Sequence, residues 1–157
     1  MHKPKIFFEI IQRTIALLTI TFSASCGTLD QYHGKQNNLD LSIKAFNSEF
    51  ESKAIETSGR FVHPNHRAKF MGQSLDVIKR VTFYEATVLD MRFFKNGVPA
   101  NITSGGPEKD FDRSVVIIRY QAAVLPSAKI ETIFSEQEWI LVGEQWLVIP
   151  NLSPLLD

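Results

Sequence analysis

The stretch Asp112–Pro150 constrains the fold of this chain most. It contains three runs rich in β-branched and aromatic residues, separated by Pro126-Ser127 and by Gly143-Glu144-Gln145. Gly and Pro fall between the runs and not within them, as is typical of consecutive strands joined by turns. The pattern therefore predicts three antiparallel strands, over residues 113–125, 129–142 and 146–149.

Alternation indicates which side chains of these strands face the core. In the first strand one face is almost wholly apolar and the other is mixed; the apolar face is Val116, Ile118, Tyr120, Ala122 and Val124. In the second strand the alternation is less regular around Ser135–Glu138. We interpret this irregularity as a bulge, or as a strand at the edge of the domain.

An earlier long strand is predicted over Val81–Lys95, with Val81, Phe83, Thr87, Leu89, Met91 and Phe93 on one face. Both of its faces are substantially apolar, which favours a central, strongly curved strand that is covered on each side. Lys95-Asn96-Gly97 is a turn signal. A long connection then leads to Asp112.

Helices are predicted before this strand. Ile43, Phe46, Phe50 and Ala54 recur at helical spacing within Asp40–Ser58, and Gly59 stands where a glycine often ends a helix. A second helix is predicted to begin at Pro64 and to end around Gly72. The fold class is therefore α+β, with N-terminal helices packed on a strongly curved antiparallel sheet.

Composition excludes several classes of function. Lys and Arg number 17, as do Asp and Glu, so the chain has no basic surface that would indicate nucleic-acid binding. A single cysteine, Cys26, excludes a disulfide framework and a multi-cysteine metal site. His63 and His66 have no third ligand near them in the sequence, so we predict neither a metal nor a cofactor.

The first 25 residues have the layout of a secretory signal peptide. A basic start is followed by the uncharged apolar run Thr14–Phe22 and by the small residues Ser23, Ala24 and Ser25. The uncharged run Thr14–Gly27 is 14 residues long, shorter than the roughly 18–20 that span a bilayer as a helix. We therefore expect this segment to be removed, with an uncleaved anchor as an alternative.

Ser23-Ala24-Ser25-Cys26 resembles a bacterial lipobox, in which the cysteine becomes the lipid-modified first residue. The resemblance implies attachment of the chain to a membrane through Cys26, with Gly27 favouring the outer membrane and a periplasmic location. Ordinary signal cleavage after Ser25 is the alternative. Residues 26–157 carry a formal charge of −2, so attachment would depend on acyl chains rather than on charge.

The sequence thus divides into three parts. Residues 1–25 form the lipoprotein signal peptide, residues 26–38 a polar and flexible tether, and residues 39–157 a single α+β domain.

Element order and local motifs over residues 39–150 resemble the nuclear transport factor 2-like superfamily. The motifs are Phe61-Val62-His63-Pro64 with Arg67 and Phe70, Gln137-x-Trp139, and Gly143-x-x-Trp146. The resemblance implies a curved antiparallel sheet that wraps around the helices to form a cone. A cystatin-like or other helix-on-sheet domain is the alternative.

Two functions are compatible with this resemblance. The first is a non-catalytic domain that binds an envelope protein, a peptide or a small apolar molecule in the cone or on the sheet. The second resembles the ketosteroid isomerase and polyketide cyclase branch, which needs a carboxylate base and a hydrogen-bond donor in a dry pocket. Tyr84, Asp90 and Tyr120 are the candidate pocket residues, and no catalytic motif maps onto them.

Overall fold

The computed structural model describes residues 27–100, 110–127 and 129–156. Three helices precede an antiparallel five-stranded sheet, which confirms the predicted α+β class. The helices are α1 (Gly27–Glu51), α2 (Ile55–Ser58) and α3 (Pro64–Arg80), and the strands are β1 (Val81–Lys95), β2 (Val98–Pro99), β3 (Arg113–Val124), β4 (Ile130–Val142) and β5 (Gln145–Pro150). Short 3-10 turns lie at Gly59–Phe61 and Ser153–Leu155.

The chain divides into two compact units, Met1–Gly34 and Lys35–Asp157. Of the first unit the structure describes only the helical residues Gly27–Gly34. The second unit contains the sheet and the buried core described below.

β3 is the central strand, because the sheet order is β2-β1-β3-β4-β5. Its predicted apolar face is confirmed: Val116, Ile118, Tyr120 and Ala122 are buried. Two tight turns also follow the sequence signals. Asn96 and Gly97 both have positive φ between β1 and β2, and Gly143 has a φ of 64° between β4 and β5.

β1 lies between two strands, as a central strand does, but the described pairing on its outer side covers only one end. β1 pairs with β3 on one side and, among the described residues, only with the two-residue β2 on the other. Two register shifts, at Phe83/Glu85 and Val88/Asp90, also break its alternation. Each shift moves the following side chains to the opposite face. Leu89, predicted to share a face with Phe83, is consequently 48% exposed.

Of the two interpretations of β4, the bulge is wrong, while residues before Gln137 have no pairing partner on β5. β4 pairs with β3 and with β5 with no register shift. Its hydrophobic alternation is weak because two polar residues, Ser135 and Gln137, face the core and are almost fully buried. Ser135 Oγ donates a hydrogen bond to Asn151 O at 2.5 Å.

The first helix differs from its predicted bounds at both ends. It begins at Gly27, so it includes residues 27–38, and it ends at Glu51 rather than Ser58. Lys53 has a φ of 63°, and hydrogen bonds from Lys53 N to Phe50 O and from Ala54 N to Glu49 O close the end. This is the Schellman arrangement, formed here on a lysine. Gly59 is the C-cap of α2, which ends at Ser58, but its φ of −58° is right-handed and not the left-handed conformation of a glycine stop.

α3 begins as predicted and extends further than predicted. Pro64 is in its first turn, and His63 caps it by accepting a hydrogen bond from Asn65 N at Nδ1. The helix continues through Gly72 to Arg80, because a glycine inside a helix costs only about 1 kcal/mol and Phe70 and Val77 bury one face.

Aromatic rings fill the space between the helices and the sheet. Phe46 and Phe50 of α1 and Phe70 of α3 lie about 6 Å apart, centroid to centroid. Phe46 also meets Trp139 edge-on. These contacts hold both long helices against the inner face of the sheet. A second cluster joins Phe93, Phe111 and Trp146.

Replacing Trp146 by Ala tests whether this second cluster belongs to the core. Trp146 is 2% exposed and stacks on Phe111, so we expect Trp146→Ala to lower the free energy of unfolding by about 3–5 kcal/mol. Tyr84→Ala is the control, because Tyr84 is 60% exposed, and should cost less than about 1 kcal/mol. Urea denaturation measures both; equal losses would contradict the assignment.

Candidate functional site

The structure does not bring the three sequence-predicted pocket residues together. Tyr84 is exposed on β1. Asp90 is exposed as well, and its Oδ2 lies 3.7 Å from Arg92 Nε. Tyr120 is fully buried beneath the helices. No enclosed site is therefore formed by these three side chains.

The lipid-attachment residue predicted from the sequence, Cys26, lies outside the described residues. Within the part of the chain that the structure describes, no helix has both the length and the apolar character needed to cross a bilayer.

Tyr120 belongs to a buried hydrogen-bond network between α1 and the sheet. Its hydroxyl donates to Asn47 Oδ1 at 2.9 Å, and Gln137 Nε2 donates to the same oxygen at 2.7 Å. Trp139 Nε1 donates to Gln137 Oε1 at 3.2 Å, and Asn47 Nδ2 donates to Ile43 O at 2.8 Å. The polar groups of this network are thus paired inside the core, as buried polar groups must be.

Burial keeps Tyr120 neutral. Burial is the main cause that raises the pKa of Tyr120 far above its usual value, and the negative charge of Glu51 adds to it. Because its hydroxyl proton is held by Asn47, Tyr120 positions the helix and does not face a ligand.

A cleft of about 220 Å³ opens beside this network, between α1, β1 and β3. We call it the α1 cleft. One wall is polar and comes from α1, while the opposite wall is apolar and comes from the two strands. The lining residues are Ile43, Lys44, Asn47, Ser48, Glu51, Ala86, Val88 and Ile118.

Glu51 is the distinctive group of the α1 cleft. It is the last residue of α1 and is partly buried, and its carboxylate forms no hydrogen bond or ion pair with any described residue. Burial raises the pKa of this carboxylate. The negative end of the helix dipole adds a further unfavourable interaction. Unpaired, desolvated ionisable groups of this kind are concentrated at functional sites.

The sequence contains a weak signal for these residues. Asn47 directly follows Phe46 in the apolar stripe of α1, and Glu51 follows Asn47 by four residues, on the same helical face. A polar residue inside a buried stripe indicates a buried partner, and Gln137 supplies it. The sequence does not reveal which face of α1 is left uncovered by β1.

A second cleft, of about 250 Å³, lies between α3, β4 and β5. It is lined by His66, Lys69, Phe70, Gln73, Glu136, Glu138, Ile149, Pro150 and Asn151. Both of its carboxylates have arginine partners, Arg92 for Glu136 and Arg113 for Glu138. Among the described residues no cluster of three or more His, Cys, Asp or Glu could hold a metal ion. This cleft is the weaker candidate.

A cluster of charges at the end of the β2–β3 connection is paired as well. Lys35 and Lys95 both contact Asp110, and their hydrogen bonds lower the pKa of its carboxyl group. The same pairing raises the pKa of Lys95. These groups join α1 to the sheet region and leave no charge available for a ligand.

Comparison of the chain with protein-family models, with curated proteins and with solved structures found no match.

Replacing Gln137 by Leu tests the buried network. The change leaves Trp139 Nε1 without its acceptor and removes one donor from Asn47, so we expect the free energy of unfolding to fall by about 2–4 kcal/mol. Gln121→Leu is the matched control, because Gln121 donates to Thr132 at an exposed position. Urea denaturation measures both variants, and an unchanged Gln137→Leu midpoint would refute the role of the network.

Replacing Glu51 by Gln tests the cost of the unpaired carboxylate. Burial raises the pKa of Glu51 in the folded state. Protonated Glu51 therefore contributes stability at pH values below the pKa that it has in the unfolded chain. This contribution is lost as the pH rises through the folded-state pKa. Glu51→Gln should therefore raise the free energy of unfolding at pH 7, because the desolvated charge is removed.

The advantage of Glu51→Gln should shrink as the pH falls through the raised folded-state pKa of Glu51, because the wild-type carboxylate then becomes protonated. Denaturant melts at several pH values measure this. The control is Glu56→Gln, at an exposed position on α2. A Glu51→Gln variant less stable than wild type at pH 7 would show that the carboxylate has a stabilising partner.

Proposed function

We propose that this protein is a lipid-anchored cell-envelope domain that binds a small ligand in the α1 cleft without catalysing a reaction. The observation that carries the proposal is the unpaired, partly buried carboxylate of Glu51 in a cleft with an apolar wall. A carboxylate in this position costs stability and is compensated when a ligand binds it.

The size of the cleft supports a small ligand. Its volume of about 220 Å³ lies below the roughly 300–1,000 Å³ typical of sites for drug-sized molecules. Ala86, Val88 and Ile118 offer apolar contact, and the polar wall on α1 offers hydrogen bonds. This combination suits a short amphipathic molecule better than a large cofactor.

The membrane anchor is proposed from the sequence. Ser23-Ala24-Ser25-Cys26 is the motif that supports lipid attachment at Cys26, and Gly27 supports the outer membrane, facing the periplasm. Residues 26–38 would then connect the acyl chains to the ligand-binding domain. An envelope protein is the alternative partner for the exposed surface.

A cone of the nuclear transport factor 2-like kind is part of the same proposal. Its support is the order of elements, with the long helices before the sheet, and the two bulges of β1, which increase the local twist of the strand. In such a cone the α1 cleft would lie between the helix and the rim of the sheet.

The alternative function is a small isomerase or cyclase, and Glu51 is the observation that favours it. A carboxylate with a raised pKa can act as a general base. Such chemistry also needs a hydrogen-bond donor for the substrate, and the Tyr120 hydroxyl is already committed to Asn47. Deuterium uptake by a simple ketone, catalysed by wild type and lost in Glu51→Gln, would favour the enzyme.

Mass spectrometry of the full chain produced in a bacterial host tests the anchor. We expect a mature chain that begins at Cys26 and carries added acyl mass, because the lipobox cysteine is the residue that becomes modified. Cys26→Ser should abolish the added mass. A wild-type chain that begins at Cys26 without added mass, or that keeps Met1, would contradict lipid attachment.

Methyl NMR of the full chain in nonionic detergent tests ligand binding in the cleft. We expect short hexyl compounds to shift the methyl signals of Val88 and Ile118 saturably, because both side chains line the cleft. Val88→Trp should block this response by filling the cleft. If no hexyl compound gives a saturable shift in wild type, the proposed binding function fails at this site.

A further inference from the structure

We infer that the α1 cleft binds the primary ammonium group of a small free amine with a short apolar chain, and that the Glu51 carboxylate is its counter-ion. The inference rests on the proposed function, because it assumes that the cleft is a ligand site and assigns the chemistry of that ligand.

The charge of the ligand follows from the groups at the Glu51 end of the cleft. The Glu51 carboxylate has no partner among the described residues. It also lies at the C-terminal end of α1, which is the negative end of the helix dipole. Both features favour a cation there and oppose an anion.

The other ionisable groups near the cleft leave this assignment unchanged. Lys44 lies seven residues before Glu51, about 10.5 Å away along the helix, and is exposed. Tyr120 lies behind the wall and stays neutral. The strand residues that line the cleft, Ala86, Val88 and Ile118, are apolar. Glu51 is therefore the group that selects the charge of the ligand.

The apolar part of the ligand follows from the opposite wall. A chain lying over this wall would remove apolar surface from water, mainly that of Val88, which is 41% exposed. The volume of about 220 Å³ suits a short chain, and a six-carbon amine represents that class of ligand.

The hydrogen bonds available also favour an ammonium group over a neutral polar group. The amide of Asn47 is occupied by Tyr120, Gln137 and the backbone, so it offers little to a ligand. The Glu51 carboxylate is an acceptor only, and an ammonium group supplies three donors. A charge-assisted hydrogen bond between them would be stronger than one from an alcohol.

Paired ligands of equal size test the inference. The full chain, in nonionic detergent at pH 7, is titrated with hexylammonium and with 1-hexanol, and the methyl signals of Val88 and Ile118 are followed by NMR. We expect hexylammonium to bind about tenfold more tightly than 1-hexanol. Val88→Trp in the same detergent is the control. Any signal change that this variant still shows is assigned to compound that has partitioned into the micelles.

Two variants separate the role of charge from a structural effect. Glu51→Gln keeps the shape of the side chain and should remove the preference for the amine while leaving the binding of 1-hexanol unchanged. Lys44→Gln is the matched control, because it removes the other charge in the cleft lining, and it should keep or increase the preference.

The outcomes distinguish the inference from the function on which it rests. Equal affinity for the amine and the alcohol, or an unchanged preference in Glu51→Gln, overturns the ammonium assignment while binding in the cleft stands. If neither compound binds, the proposed function itself fails. Tighter binding of a lysine peptide than of hexylammonium would overturn the assignment to a free small amine.

Discussion

A single amide oxygen, Oδ1 of Asn47, links the helical layer to the sheet. It accepts hydrogen bonds from Tyr120 on β3 and from Gln137 on β4. Apolar contacts alone would allow α1 to slide or rotate on the sheet, because they have little directional preference. Two directional hydrogen bonds, made where water is excluded, select one position for the helix. The aromatic rings around the network pack against a helix whose position on the sheet is defined by these two hydrogen bonds.

The position of α1 creates the cleft because, over most of its length, β1 has no further described strand on the side away from β3. The described residues of β2 extend this edge by only two residues, and the bulges in β1 turn it away from a regular ladder. The face of α1 that carries Glu51 therefore extends beyond the covered part of the sheet. Asn47 is held in the core while Glu51, one turn later, stands at the boundary with water. The rigid network and the open site thus lie on adjacent turns of one helix.

Elements specified by local patterns were predictable. The alternation of β3, the Asn96-Gly97 turn and the Pro64 start of α3 all appear where the sequence places them, because each depends on neighbouring residues. The end of α1 was not predictable in this way. It depends on a left-handed Lys53, which local propensity disfavours, and the Lys53 ammonium group donates to Ile78 O in α3. The turn at Lys53 is thus accompanied by a contact with α3, a segment distant in the sequence.

The candidate site likewise combines features set by neighbouring residues with features set by contacts between distant segments. The sequence by itself determined the strand pattern, the apolar stripe of α1 and the presence of a carboxylate four residues after Asn47. It could not show that Ser135 and Gln137 point inward, because polar residues at alternate positions weaken the very signal that marks a buried face. It also grouped Tyr84, Asp90 and Tyr120, which the tertiary structure separates. Only the tertiary structure decided the order of the strands and which unpaired carboxylate lines a cleft, because strand order and helix position depend on contacts between residues far apart in the chain.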